Sequence, residues 1–138
     1  MNEARFTLDA ASVRAARRFA AIAVSRASPD VVEVVEAIVS ELAANAVRHA
    51  GTGYAVRMTI DDDRVLIEVA DEGRGVPVRR APDVFDPTGR GLQIVGALAD
   101  EWGVREHPGQ GKTVWATVQL DDSGALAVEA VARAVGTT

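Results

Sequence analysis

The chain has 138 residues, 48% of them hydrophobic and 25% charged, with a formal net charge of −5 and no cysteine. That length fits a single domain spanning 1–138, large enough to bury a core without covalent cross-links. The missing thiols exclude disulfides and thiolate metal sites, and the acidic balance argues against direct nucleic-acid binding, which needs a basic patch to release phosphate counterions.

The opening "MNEARFTLDA" lacks the charged-then-apolar pattern of a secretion signal. The apolar runs are too short or too interrupted to span a bilayer. The expectation is a soluble, cytoplasmic protein with no membrane partner.

In chain order, "ARFTLDA" (4–10) alternates Phe6 and Leu8 with polar residues and predicts a short strand. "ASVRAARRFAAIAVSRA" (11–27) carries Val13, Ala16, Ala20 and Val24 at helical spacing. A second helix is expected over about 30–49, with Asp30 as N-cap, Glu33 completing a capping box, and Gly51 closing the end. "YAVRMTI" (54–60) and "RVLIEVA" (64–70) alternate around an Asp61-Asp62-Asp63 turn and predict a hairpin. Residues 71–88 form a long polar loop rich in glycine and proline. A helix follows over 91–101, then two strands, "WGVRE" and "TVWATVQL" (113–120), around "HPGQGK". The tail 121–138 is read as one short helix before fraying. This order gives an α/β two-layer sandwich, with helices on one face of a mixed, mainly antiparallel sheet.

The second helix raises a chemical question. In "SELAANAVRHA" (40–50), Glu41, Asn45 and His49 follow one another at i, i+4 spacing within an apolar helix. At about 100° per residue, Val35, Val39, Leu42 and Ala46 share the core arc. Glu41 and Asn45 lie at its edge, with Arg48 beside them, whereas Glu33, Glu36 and Ser40 point toward water. Alone, the line also reads as ordinary boundary residues.

Three glycine-centred segments lie downstream. In "VADEGRGVP" (69–77), Asp71 ends a strand beside Gly73 and Gly75, so a carboxylate stands next to bare backbone that a flat ligand can approach. "GRGLQIV" (89–95) opens a helix with unpaired amides and a dipole that favours an anion, with Arg90 adding charge. "GQGKTVWA" (109–116) leads into a strand, not a helix, and so is not a Walker loop. Each segment in isolation also reads as a turn or joint.

Taken in order, these four segments resemble the boxes of the GHKL ATPases with the Bergerat ATP-binding fold, and in particular the stand-alone branch of anti-sigma factor serine/threonine kinases. Glu41 through Ala50 matches the N box and Asp71-Glu72-Gly73-Arg74-Gly75 the first glycine box. Gly89-Arg90-Gly91-Leu92 matches the second, and Gly111-Lys112-Thr113 the third. The resemblance covers about residues 5–120.

It implies ATP and Mg²⁺ held between helices and sheet. Asn45 would be the metal ligand and Glu41 the catalytic base that activates a substrate hydroxyl, with Arg48 near the phosphates. Asp71 would accept the adenine amine, Gly73 and Gly75 would admit the ring, and Thr113 would support Asp71 or the ring edge. Residues 76–88 would form a lid, and Gly89, Arg90, Gly91 and Leu92 the phosphate-binding helix start. His49 is given a structural role. The implied partners are a sigma factor and an anti-sigma antagonist phosphorylated on serine or threonine; dimerisation is implied by the resemblance alone. A second reading of the same residues is a non-catalytic nucleotide-binding module that acts on a partner protein.

Overall fold

The computed structural model describes residues 1–73 and 90–127. The lid segment 76–88, Gly75, Gly89 and the tail from 128 onward lie outside the described residues, as do the side chains of Arg90, Gly91 and Leu92.

Five strands and three helices are described: β1 (Asn2–Phe6), α1 (Ala11–Ala23), α2 (Pro29–His49), β2 (Tyr54–Ile60), β3 (Arg64–Asp71), α3 (Arg90–Leu98), β4 (Glu101–Glu106) and β5 (Lys112–Gln119). The sheet order is β1-β2-β3-β5-β4. Every pairing among the described strands is antiparallel, where a mixed sheet was expected. The reason is topological. The chain crosses through α3 and returns as β4 in the direction of β3, but β5 folds back and inserts between them. No two strands of like direction become neighbours.

Alternation along the strands builds one apolar face. Val56 and Met58 of β2, Val65, Ile67 and Val69 of β3, and Val114, Ala116 and Val118 of β5 all point into the core. α2 covers this face, burying Val31, Val35, Ile38, Val39 and Leu42 and packing on β2, β3 and β5. α1 packs on α2, β1 and β2, and α3 on α2 and β4. This is the two-layer α/β sandwich that the element order predicts. Each fully buried aliphatic side chain contributes roughly 1.5–3 kcal/mol relative to exposure, so α2 is the element that the core holds most firmly.

Several boundaries differ from the periodicity. β1 ends at Phe6 because Asp9 turns back to the next helix. Its Oδ1 accepts a hydrogen bond from Ser12 N at 3.0 Å, and the Ser12 hydroxyl donates to the Asp9 carbonyl at 2.8 Å. α1 stops at Ala23, and the chain leaves through two tight turns, Ser25 N to Ile22 O and Ala27 N to Val24 O. α2 begins at Pro29 with Ser28 as N-cap, so Asp30 is not the cap. Proline tolerates the first helical turn because its missing N–H has no intrahelical acceptor there. The Asp30 carboxylate instead accepts a hydrogen bond from the Ser28 hydroxyl. At the other end Gly51 takes φ +72°, the left-handed position that ends a helix cheaply only with glycine.

Candidate functional site

α2 carries the polar line along the border of its buried face. Asn45 is 3% exposed. Its Oδ1 accepts a hydrogen bond from the Arg48 guanidinium at 3.1 Å. Its Nδ2 is buried and meets no acceptor among the described residues. One turn earlier, Glu41 is half-buried. At i, i+4 spacing the Cβ atoms of Glu41 and Asn45 stand about 5–6 Å apart. The structure therefore places Glu41, Asn45 and Arg48 on one stretch of helix surface. Glu33 is exposed as expected, but Ser40 is half-buried and its Oγ is enclosed without a partner among the described residues. A buried polar atom left without a partner costs about 1–3 kcal/mol. Ser40 Oγ and Asn45 Nδ2 are thus two places along α2 that are not optimised as core.

The end of β3 meets the end of α2. Asp71 is 6% exposed, the last residue of its strand. Its Oδ1 accepts from Gly73 N at 3.0 Å. A Cβ on Gly73 would stand 3.1 Å from both the Ala50 carbonyl oxygen and Asp71 Oδ1, so glycine is what lets the two ends close up. The Thr52 hydroxyl oxygen accepts from Glu72 N at 3.2 Å and stitches the same junction. With a rise of about 1.5 Å per residue, Glu41 lies on the order of 14 Å along the helix axis from this junction. The arrangement suits an elongated ligand, read by a carboxylate at one end and met by an amide and a second carboxylate toward the other.

The third glycine segment is placed differently from the expectation. In the β3–β5 register Asp71 lies opposite Lys112, and Ala70 opposite Thr113. Directly opposed residues share a face, so Lys112 is on the helix-covered face with Asp71, and Thr113 is on the other. The Lys112 ammonium donates to Asp71 Oδ2 at 2.9 Å. The Thr113 hydroxyl instead meets His107 Nε2 at 3.0 Å. The structure thus does not bring Thr113 to Asp71. Lys112 is the neighbour that the sequence reading missed. The signal was available: Val114, Ala116 and Val118 alternate as the apolar face, and parity then puts Lys112, not Thr113, on their side.

Arg90, Gly91 and Leu92 form the start of α3. Among the described residues no group of three or more histidines, cysteines or carboxylates converges as a metal cage. No described helix is long and apolar enough to cross a membrane.

Comparison with known proteins agrees with this geometry. The sequence model of the histidine kinase-like ATPase domain matches residues 6–118. The chain is 31% identical to an anti-sigma F factor of Pasteuria penetrans, over 91% of this chain and 95% of that protein. It is also 31% identical to the alginate biosynthesis sensor protein KinB of Pseudomonas aeruginosa, over 56% of this chain and 16% of that much longer protein.

Proposed function

The chain belongs to the histidine kinase-like ATPase domain family, and from that premise we propose that it is an ATP-dependent regulator. On this reading it binds a sigma factor and phosphorylates a serine or threonine of an anti-sigma antagonist. The observation that carries the proposal is the near end-to-end similarity to an anti-sigma F factor, together with Glu41, Asn45 and Arg48 on one stretch of α2.

The residues present fit Mg-ATP. Asn45 offers a buried amide whose oxygen keeps a lone pair beyond the Arg48 bond and whose nitrogen meets no acceptor among the described residues. One protein oxygen suffices for Mg²⁺, which keeps waters and phosphate oxygens as its other ligands. When bound, the ion neutralises charge on the phosphates. Arg48 would turn its guanidinium toward the same charge. Asp71, pinned by Gly73 N and Lys112, would accept the base amine, with Gly73 keeping the role that the resemblance implies. Gly75, Gly89, Arg90, Gly91 and Leu92 keep the roles that the resemblance implies. Thr113, held by His107 on the far face, would act on the pocket only through the strand it sits in. Glu41 is the base: as the substrate hydroxyl oxygen bonds to the γ-phosphorus and the bond to the leaving ADP oxygen breaks, its carboxylate takes the hydroxyl proton.

Titration with a fluorescent ATP analogue, with and without Mg²⁺, tests the binding half. Saturation is expected below millimolar nucleotide, and no binding at that concentration overturns it. The catalytic half is tested by transfer of labelled phosphate to a candidate antagonist. Glu41→Ala should lower transfer by roughly 10²–10⁴-fold and leave ATP affinity within a few-fold. Full transfer by Glu41→Ala would remove Glu41 from the role of base.

A further inference from the structure

We propose that Lys112 sets the base specificity of the nucleotide site, and that with Asp71 it makes the site accept guanine as well as adenine nucleotides. The inference rests on the ATP-site reading above and adds to it a direct role toward the base for Lys112, the residue that pins Asp71.

The structure fixes Lys112 in place from two sides. Its strand position is opposite Asp71. The turn before it is pinned by His107 N to Gly111 O at 2.8 Å and Gln110 N to His107 O at 2.6 Å. Gly111 takes φ +93°, and a Cβ there would stand 2.0 Å from the Asp71 carbonyl oxygen. The backbone of the turn therefore lies directly on that of Asp71, and the side chain that follows has to run along the Asp71 carboxylate. Lys112 and Asp71 side chains are 19% and 5% exposed, and their charged atoms are 2.9 Å apart. This is a largely enclosed ion pair at the mouth of the junction between α2 and β3.

Its chemistry bears on base choice. A carboxylate alone is an acceptor. It matches the 6-amino group of adenine and repels the 6-oxo group of guanine. An ammonium beside it adds N–H donors that rotate about one bond, so the ion pair and a bond to a ligand can coexist. Acceptor and donor then stand side by side. Adenine offers the complement as its 6-amino N–H and ring N1. Guanine offers it as ring N1–H and the 6-oxo oxygen, with donor and acceptor exchanged between adjacent atoms. A pair in which the donor is mobile meets both edges.

Isothermal titration of the full chain with Mg-ATP and Mg-GTP tests this. The wild-type dissociation constants should agree within about tenfold, and Lys112→Met should weaken GTP at least about tenfold more than ATP, the effect of leaving one buried polar group unmatched. Because Lys112→Met leaves the enclosed Asp71 charge without its partner, Lys112→Gln serves beside it: the amide retains a donor but loses the charge, and its GTP affinity should fall between the two. Wild-type binding of ATP with GTP about a hundredfold weaker or more overturns the proposal and leaves the ATP site standing. Equal losses of both nucleotides in Lys112→Met also overturn it. Binding of neither nucleotide by the wild type overturns the ATP-site reading itself.

Discussion

Tyr54 shows how one residue joins three elements. It is buried, its ring stacks on Phe6 at 5.6 Å, and Phe6 meets Phe19 edge-on at 6.1 Å. Its hydroxyl lies 2.7 Å from Ser12 Oγ. Burial raises the Tyr54 pKa above 10.0, with the Asp9 charge adding to the rise and the Ser12 bond opposing it. The folded state then holds the phenolic proton more tightly than the unfolded state. The contribution of Tyr54 to stability is therefore full below pH 10.0 and falls as the pH rises from there through the folded value. Urea titrations at rising alkaline pH should show this loss, and Tyr54→Phe should flatten it. At neutral pH Tyr54→Phe should cost about 0.5–1.5 kcal/mol for the lost hydrogen bond. In the core, Ile38 is 0% exposed, and Ile38→Ala should cost about 2–5 kcal/mol by the same measurement.

At the scale of elements, the ends are set by side chains that periodicity does not weigh. α1 depends on Asp9, whose carboxylate accepts from Ser12 N. Asp9→Ala should cost about 0.5–2 kcal/mol, the usual value of a lost helix cap, read as a lowered urea midpoint with an unchanged slope. The sheet's last turn has a similar device. Asp121 Oδ1 accepts from Ser123 N, the Ser123 hydroxyl and Ala125 N. These bonds favour its charged form and lower its pKa below 3.8, the Ser123 hydroxyl first. The turn leads into the Leu120–Leu126 bridge. As pH falls past 3.8 and through the folded value, this support is lost. The protection factors of the Ser123 and Ala125 amides, exchange rates taken relative to the intrinsic rate at each pH, should therefore fall in acid, and Asp121→Ala should show the same loss of protection at neutral pH.

At the scale of the whole molecule, the site lies where two ends meet. α2 and β3 finish at the same place, joined by Gly73 against Ala50 and by Thr52 to Glu72. A ligand that engages both α2 and β3 stabilises the folded chain by mass action, about 2.7 kcal/mol at a hundred times its dissociation constant. For a domain of this size that corresponds to a rise in Tm on the order of 10 °C. Mg-ATP should produce such a rise in thermal denaturation, and Asp71→Asn should abolish it. Persistence of the full rise in Asp71→Asn would separate the carboxylate from nucleotide binding.

The element order, the hairpin at 54–71 and the core face of α2 were legible in the sequence because they follow from periods of about 3.6 and 2 residues, which are local properties. Glu41, Asn45 and Asp71 were legible as candidates because each is polar where the local pattern calls for core or for a strand end. Pairing between strands is not local. Whether Lys112 or Thr113 stands beside Asp71 depends on which residue of β5 lies opposite β3, and a shift of one residue exchanges the two faces. The expectation chose Thr113, the residue with the hydroxyl; the register chose Lys112. The wholly antiparallel sheet has the same origin, since only tertiary folding inserts β5 between β3 and β4. The sequence by itself determined the elements, the buried faces and the polar residues that interrupt them. Only the tertiary structure decided which of those residues meet, because contacts across strands depend on register and on the closing of chain ends that no local period records.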